Sequence, residues 1–276
     1  MTFDKVVTDI DGTLAHDHNI NDDDRRTLED VISSGIRVMA ATTRMRHSAS
    51  IILKDTGITR EPGMCLNGAH ITGLGWDTPG CQVLYRRELD RDIAQGIAAH
   101  GDEMGYEITT IYRERKYWKI RRDRGADLSF EDPVAVMVEK NIHGITEEEC
   151  PTSFMMHAEN NGREGMEEML DYVAKNFPSR TVTHKHHRLG EWAAITIYPG
   201  DVNKGDALER MENMGLLDMK KVVAIGNDLV DMPMLEVAGL GIAMEDSPQE
   251  VKEVADAVVP SCLDGGFSRA LREYVL

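Results

Sequence analysis

Basic residues are in short supply: 31 Lys and Arg stand against 48 Asp and Glu, a formal net charge of −17 over 276 residues. Nucleic-acid binding is dominated by Lys and Arg contacts to phosphates, so this balance argues against a general nucleic-acid partner. It leaves room for a small anionic ligand, because a metal ion and a few local cations can set the sign of one site. Cysteine is scarce as well. Cys65, Cys81, Cys150 and Cys262 show neither CxxC spacing nor a dense framework, which excludes a disulfide scaffold and fits free, mostly buried thiols in a reducing cytoplasm. No apolar run reaches the ~20 residues of a membrane-spanning helix. The first residues read as a strand rather than a signal peptide, so a soluble, cytoplasmic chain with no membrane partner is expected. Internal repeats and low-complexity tracts are also missing. What remains is an ordinary globular composition, 41% hydrophobic and 29% charged, enough for one large domain or two modest ones.

Strand and helix signals alternate at both ends of the chain. Val6 and Val7 suit a buried strand that runs into Asp9-Ile10-Asp11-Gly12-Thr13, with Gly12 able to turn sharply at its end. Asn21 is placed to cap a helix that runs through Ser33-Ser34 and stops at Gly35. A second strand is expected over 36–42, a helix over about 46–55 closed by Gly57, and a third short strand at 64–66. The pattern resumes with a helix over 204–214, a strand at 222–225 and a helix at 232–238. Strands at 241–244 and 257–259 follow, with a helix from about Pro248 between them and a last helix over 267–274. This alternation predicts an α/β fold, a doubly wound Rossmann-like parallel sheet with right-handed crossovers.

The middle has a different grammar. Strand signals at 82–87, 106–112, 116–121, 134–139, 153–158, 181–185 and 192–198 accompany helices at 90–104 and 163–176. Several of these strands are consecutive, which reads as an inserted α+β unit with an antiparallel sheet. The expected division is a discontinuous core of residues 1–80 and 199–276, interrupted by an insertion of residues 81–198.

Four separated segments gain meaning together: Asp9 and Asp11 with Gly12-Thr13; Thr42-Thr43-Arg44; Lys204 at a helix start; and Gly226-Asn227-Asp228-Leu229-Val230-Asp231. In a doubly wound sheet all four converge at the carboxyl edge, where such folds place their ligands. Their chemistry is that of phosphoryl transfer. One carboxylate attacks phosphorus and forms an aspartyl-phosphate, splitting a difficult displacement into two. A second carboxyl gives a proton to the leaving oxygen and later activates water. Clustered carboxylates beside a phosphate dianion repel one another, by about 4 kcal/mol per like pair at ~4 Å and an effective dielectric of 20. A hard divalent cation, Mg²⁺ held by oxygen ligands, is therefore expected. Lys204 and the Thr42 hydroxyl are suited to hold the non-bridging oxygens.

The chain resembles the haloacid dehalogenase (HAD) superfamily hydrolases, and within them the Cof-like sugar-phosphate phosphatases. That family's four motifs are matched in order across residues 6–14, 38–44, 198–208 and 222–235. The segment Asn67-Gly68-Ala69 is similar to the subfamily's stretch leading into its cap, and the long insertion falls where the family carries that α/β cap. Gly239-Leu240-Gly241-Ile242-Ala243-Met244 and Asp264-Gly265-Gly266 are similar as well. The resemblance implies that Asp9 is the nucleophile and Asp11 the general acid/base. It implies that Thr42 and Lys204 bind the transferring phosphoryl group, with Gly12, Thr13, Thr43, Arg44 and Asn67 on the substrate side. Mg²⁺ would be held by the Asp9 side chain and the Asp11 main-chain carbonyl, and completed by the fourth motif at Asn227, Asp228 or Asp231.

The departures are specific. The family's second motif reads Thr-Gly-Arg where this chain has Thr42-Thr43-Arg44, and a β-branched residue fits there only with a negative φ. The fourth motif reads GNDLVD instead of GDxxND, so Asn227 takes the place of a metal-binding Asp and Val230 that of an Asn. Asp228 and Asp231, three apart at a helix start, are able to share a face and compensate. Glu245-Asp246-Ser247 replaces the family's Gly-Asn-Ala.

Other features have two readings each. Arg44 is a substrate contact or a cation near a helix start, and Asn67 a turn residue or a substrate-facing one. The run His184-Lys185-His186-His187-Arg188 reads as a solvated loop, against a surface for the anionic or hydroxyl-rich end of a substrate. The stretch from Arg113 to Arg122 reads as an amphipathic strand with a basic face rather than a nucleic-acid site. Met155, Met156, Met166 and Met169 read as core filling. The expected function is a Mg²⁺-dependent phosphatase acting on a small phosphorylated metabolite, a sugar or polyol phosphate, with a cap that selects it. The alternatives are a phosphomutase, and a phosphometabolite-binding or sensing protein, the latter motivated by Asn227 and Val230. A response-regulator receiver shares the Asp, Thr and Lys, but the length, the DxDGT order and the insertion set it aside.

Overall fold

The computed structural model describes residues 3–78, 80–112, 116–120, 136–139, 150–188 and 191–276. It divides into two compact units, one formed by Met1–Tyr85 with Asn203–Leu276 and the other by Arg86–Val202. The chain opens with β1 (Lys5–Thr8), α1 (Asp22–Ser33), β2 (Arg37–Ala40), α2 (Arg46–Ile52), β3 (Gly63–Cys65), β4 (His70–Thr72) and β5 (Val83–Arg86). It continues through α3 (Arg91–Met104), β6 (Ile108–Tyr112), β7 (Lys116–Ile120), β8 (Val136–Glu139), β9 (Ser153–His157), α4 (Ala158–Asn176), β10 (Thr181–Arg188) and β11 (Glu191–Pro199). It closes with α5 (Lys204–Asn213), β12 (Val222–Gly226), α6 (Met232–Val237), β13 (Leu240–Met244), α7 (Gln249–Val254), β14 (Ala257–Val259) and α8 (Gly266–Tyr274).

The first unit is built on a parallel sheet ordered β14-β13-β12-β1-β2. Lys5–Thr8 pairs in register with Val222–Ile225 on one side and with Arg37–Ala40 on the other. Every residue of β1 and β12 is buried, as expected of strands covered on both faces. Val7, Met39, Ala224 and Ala243 share one apolar cluster with Leu208 and Met211 of α5 and with Met234 and Leu235 of α6. Asn21 caps α1 as the sequence implies, its Oδ1 accepting from Asp23 N at 3.0 Å and Asp24 N at 2.9 Å. The expectation of a doubly wound parallel core carrying an inserted α+β cap is met.

Three local readings change. The strand around Met64 does not join the parallel ladder. It pairs antiparallel with β4 in a small sheet ordered β3-β4-β5, and keeps one parallel bridge, Ala41 to Met64, toward the core. The helix over 46–55 ends at Ile52, because Asp55 takes a left-handed backbone (φ 63°) that no helix accommodates. The His184–Arg188 run is strand rather than loop. It lies in β10, pairs antiparallel with β11 through a register shift between His186 and His187, and buries the His184 ring.

The second unit is a six-stranded sheet ordered β10-β11-β9-β6-β7-β8. All its pairings are antiparallel except β7 with β8, which run parallel. Its core joins Ile93 and Ile97 of α3, Met166 and Met169 of α4, and Phe154, Met156 and Ile195 of the sheet. Met156, Met166 and Met169 therefore fill a core, as the sequence indicates, whereas Met155 is half-buried and stands outside that cluster. The backbone of Lys116–Ile120 is strand, while residues 113–115, 121 and 122 of the basic stretch lie outside the described residues. Among the described residues no helix is long and apolar enough to cross a membrane.

Candidate active site

The sheet order reverses between β1 and β12: from β1 the chain moves to β2, and after the insertion it returns on the other side as β12, then β13 and β14. That switch point opens a crevice at the carboxyl ends of the two strands. Asp9 leaves β1 there, its N–H still paired to Ile225 O at 2.9 Å. The chain then folds back on itself, with Ile10 O accepting from Leu14 N at 3.0 Å and Ala15 N at 2.7 Å. Gly12 sits at φ +79°, and a Cβ on it would lie 2.5 Å from Asn227 Nδ2. Both the backbone angle and the close approach require glycine. Beside it the Thr13 hydroxyl donates to Asn227 Oδ1 at 2.9 Å, tying the first motif to the fourth.

Lys204 is the first residue of α5, whose cap Asn203 accepts from Asp206 N at 2.8 Å. Its side chain is fully buried. The ammonium donates to Asp9 Oδ1 at 2.6 Å and to Asp231 Oδ1 at 2.5 Å. The other oxygen of Asp231 accepts from the N–H groups of Asn227 at 2.8 Å and Asp228 at 3.0 Å. Both Asp231 oxygens are thus engaged. Asp228 turns the other way, its Oδ1 accepting from Leu229 N at 2.7 Å. One ammonium cannot neutralise two buried carboxylates. Burial alone would lower the Lys204 pKa, but Asp231 and Asp9 outweigh it and hold it above its ordinary value. The excess of carboxylates opposes ionisation of Asp9. Burial first, then Asp231 and Asp11, push its pKa up to about 8 against the opposing pull of Lys204.

The second motif forms the facing wall. Thr42 is buried at the end of β2, with its N–H on Met64 O at 2.8 Å and its Oγ accepting from Arg44 N at 3.0 Å. Thr43 keeps the negative φ that a β-branched residue needs. Arg44 makes a two-pronged contact with Asp11: Nε to Oδ2 and Nη2 to Oδ1, both at 2.6 Å. Its Nη1 reaches Ser48 Oγ at 3.0 Å. The acid/base candidate is therefore held by the arginine of the second motif. Leu66, Asn67 and Gly68 follow with three consecutive left-handed backbones, φ 52°, 56° and 88°. Leu66 N donates to Arg44 O and Asn67 N to Thr42 O, while a Cβ on Gly68 would lie 2.6 Å from Asn203 O. Asn67 is thereby wedged between the second motif and the start of α5, and its buried Oδ1 has no hydrogen-bond partner among the described residues.

The hydrogen bonds link the candidates into two groups, Asp9-Lys204-Asp231-Asn227-Asp228 with Thr13, and Asp11-Arg44-Thr42-Asn67. Ser48 was not singled out in the sequence, and its signal is its position in the first turn of the helix that follows Arg44.

A family model for haloacid dehalogenase-like hydrolases matches residues 6–271. The chain belongs to that family. Among related sequences, the 5-amino-6-(5-phospho-D-ribitylamino)uracil phosphatase YitU of Bacillus subtilis is 23% identical over 98% of this chain and 96% of its own. A chloroplastic protein of Arabidopsis thaliana named endoribonuclease YBEY is 23% identical over 99% of this chain, yet the chain spans only 46% of that protein's length. The crystal structure of TM0651 from Thermotoga maritima superposes with a TM-score of 0.80 at 24% identity, covering 99% of this chain and 97% of the other. The fold is thus shared nearly end to end, and this HAD-type hydrolase is an enzyme.

The donor chemistry at the switch point fits the divalent cation that HAD hydrolases imply. Asp9 keeps a second carboxylate oxygen beyond the one that Lys204 holds, Asn227 offers an amide oxygen that accepts from Thr13, and the site carries more carboxylates than cations. The set is lean in charge. Among the described residues no group of three or more Asp, Glu, His or Cys side chains is arranged as a metal-binding cluster.

Proposed function

We propose that the protein is a Mg²⁺-dependent phosphatase that hydrolyses a small phosphorylated metabolite, a sugar or polyol phosphate, through an aspartyl-phosphate. The observation that carries this reading is the buried Lys204 ammonium shared between Asp9 and Asp231 at the sheet's switch point. It fixes the Asp9 carboxylate in one orientation, which is what in-line attack on phosphorus demands. An Asp9 oxygen forms a bond to phosphorus as the bond to the substrate oxygen breaks, and Asp11 gives that oxygen its proton. Water then attacks the phosphorus of the aspartyl-phosphate, passes a proton to Asp11, and frees Asp9 and inorganic phosphate.

For this, the Asp11 carboxylate must leave the fork of Arg44, take up a proton from solvent and turn to the leaving oxygen, so Arg44 acts as its holder between turnovers. Lys204 and the Thr42 hydroxyl take the non-bridging oxygens. Mg²⁺, held by Asp9, the Asp11 carbonyl and Asn227, would supply neutralisation of charge on the phosphoryl group. The inserted cap supplies substrate choice, and the polyol-phosphate class is supported by YitU, whose named substrate carries a phosphorylated ribityl chain.

The test is release of phosphate from p-nitrophenyl phosphate and from a panel of sugar and polyol phosphates, with and without Mg²⁺. Wild type is expected to turn over with Mg²⁺, and Asp9→Asn to lose at least about 10³-fold. Equal rates for the two proteins on every compound would refute the enzymatic reading. Binding of a phosphometabolite without hydrolysis would favour the sensing alternative, for which the neutral Asn227 is the motive.

A further inference from the structure

We infer that the divalent cation and the substrate's phosphate group enter this site as a mutually dependent pair, each binding weakly alone and strengthening the other. The inference deepens the phosphatase reading and rests on it for the identity of the two ligands.

Most polar atoms of the crevice's charged groups are already engaged with one another, even though carboxylates outnumber cations. Asp231 has both oxygens engaged, one by Lys204 and one by the N–H groups of Asn227 and Asp228. Asp11 has both oxygens held by Arg44. Asp228 is directed to the Leu229 N–H. A cation arriving alone is therefore offered one side-chain carboxyl with an oxygen to spare, Asp9, and that group has a buried ammonium 2.6 Å from its other oxygen. The Asn227 side chain contributes an oxygen without charge, and that oxygen already accepts from Thr13.

An anion arriving alone fares no better. The cations that would hold it, Lys204 and Arg44, are each spent on two carboxylate oxygens, and the approach brings it toward Asp9. Together the two ligands compensate each other: the cation offsets the repulsion between phosphate and Asp9, and the phosphate supplies the negative oxygens that Asn227 does not. Coupling of this kind is reciprocal by linkage. A carboxylate at position 227 would loosen the dependence, because the cation would then meet two anionic side chains.

The experiment is calorimetric titration of Mg²⁺ into the intact protein, with and without saturating inorganic phosphate, for wild type and Asn227→Asp. A carboxylate at 227 still accepts from the Thr13 hydroxyl, and an unchanged thermal midpoint confirms the fold of the variant. Expected is a gain of about 10-fold or more in Mg²⁺ affinity with phosphate for wild type. Asn227→Asp should bind Mg²⁺ alone about 10-fold more tightly than wild type does, with a smaller gain from phosphate. Equal Mg²⁺ affinity of wild type with and without phosphate overturns the inference, as does a variant that leaves both affinities where they were. The two readings fail separately: hydrolysis lost in Asp9→Asn without ligand coupling leaves a phosphatase and removes this inference. Coupling without hydrolysis does the reverse.

Discussion

At the scale of single residues, Lys204 is the most exposed to test because it is the least exposed to solvent. A fully buried ammonium is tolerable only when its partners are in place, and here two carboxylates hold it. Replacing it by Met keeps most of the volume but leaves Asp9 and Asp231 buried without a counter-charge. Breaking a buried pair in this way costs about 3–5 kcal/mol. Lys204→Met is expected to lose that much in urea unfolding, whereas Lys220→Met on the surface should stay within about 0.5 kcal/mol of wild type. A loss for Lys204→Met no larger than that of the control would show that the ammonium does not hold the site together. Much of this was legible. The alternation of Asp9 and Asp11 after an apolar strand, and a lysine at a helix start, are enough to place them at one sheet edge. The pairing of Asp11 with Arg44, and the turning of Asp231 into the interior, depend on side-chain directions that spacing does not encode.

At the scale of elements, α1 and α8 are far apart in sequence and side by side in space. Arg272 on α8 forks onto Asp23 at 2.7 and 2.8 Å and also reaches Thr27 Oγ at 2.8 Å. Next to it Ser268 N donates to the buried Asp24 at 2.9 Å. The hydrogen bonds from Arg272 are the chief reason that the Asp23 pKa is pushed down to about 2. An acid whose pKa is lowered by folding stabilises the fold above its unfolded pKa of about 3.9, and loses that contribution as pH falls toward the folded value. Asp23→Asn should therefore lower the thermal midpoint at pH 7, and its gap to wild type should narrow between pH 4 and pH 2. A gap that stays constant over that range would assign the effect to something other than the ion pair.

The same scale shows where reading by pattern stops. Asn21 announces α1 because a cap is a local bond. β4 has only His70-Ile71-Thr72 to mark it, too short for a periodic signal, and it exists because β3 and β5 flank it. The charged run in β10 misleads for a related reason: alternation buries His184 and exposes Lys185 within a run of like residues, and only the partner strand β11 decides which face is which.

At the scale of the whole molecule, the chain builds two separate apolar clusters, one around Val7, Met39 and Leu208 and the other around Ile97, Phe154 and Met169. The first belongs to a unit assembled from both ends of the chain, the second to one continuous stretch. Contacts within each unit are made by its own strands and helices, so the free energy that holds each is largely its own, and unfolding need not be all-or-none. Truncating a core methionine costs about 2–5 kcal/mol where the cavity persists. Met169→Ala should thus weaken the inserted unit and Met39→Ala the sheet of the first. Hydrogen exchange read peptide by peptide in rising urea checks this. Met169→Ala is expected to speed exchange in peptides from Arg91–Met104 and Ser153–His157 while leaving Val222–Gly226 as in wild type, and Met39→Ala to do the opposite. If either substitution accelerates exchange equally in both sets, the two cores are one cooperative unit, and the cap is bound to the catalytic core in stability as well as in sequence.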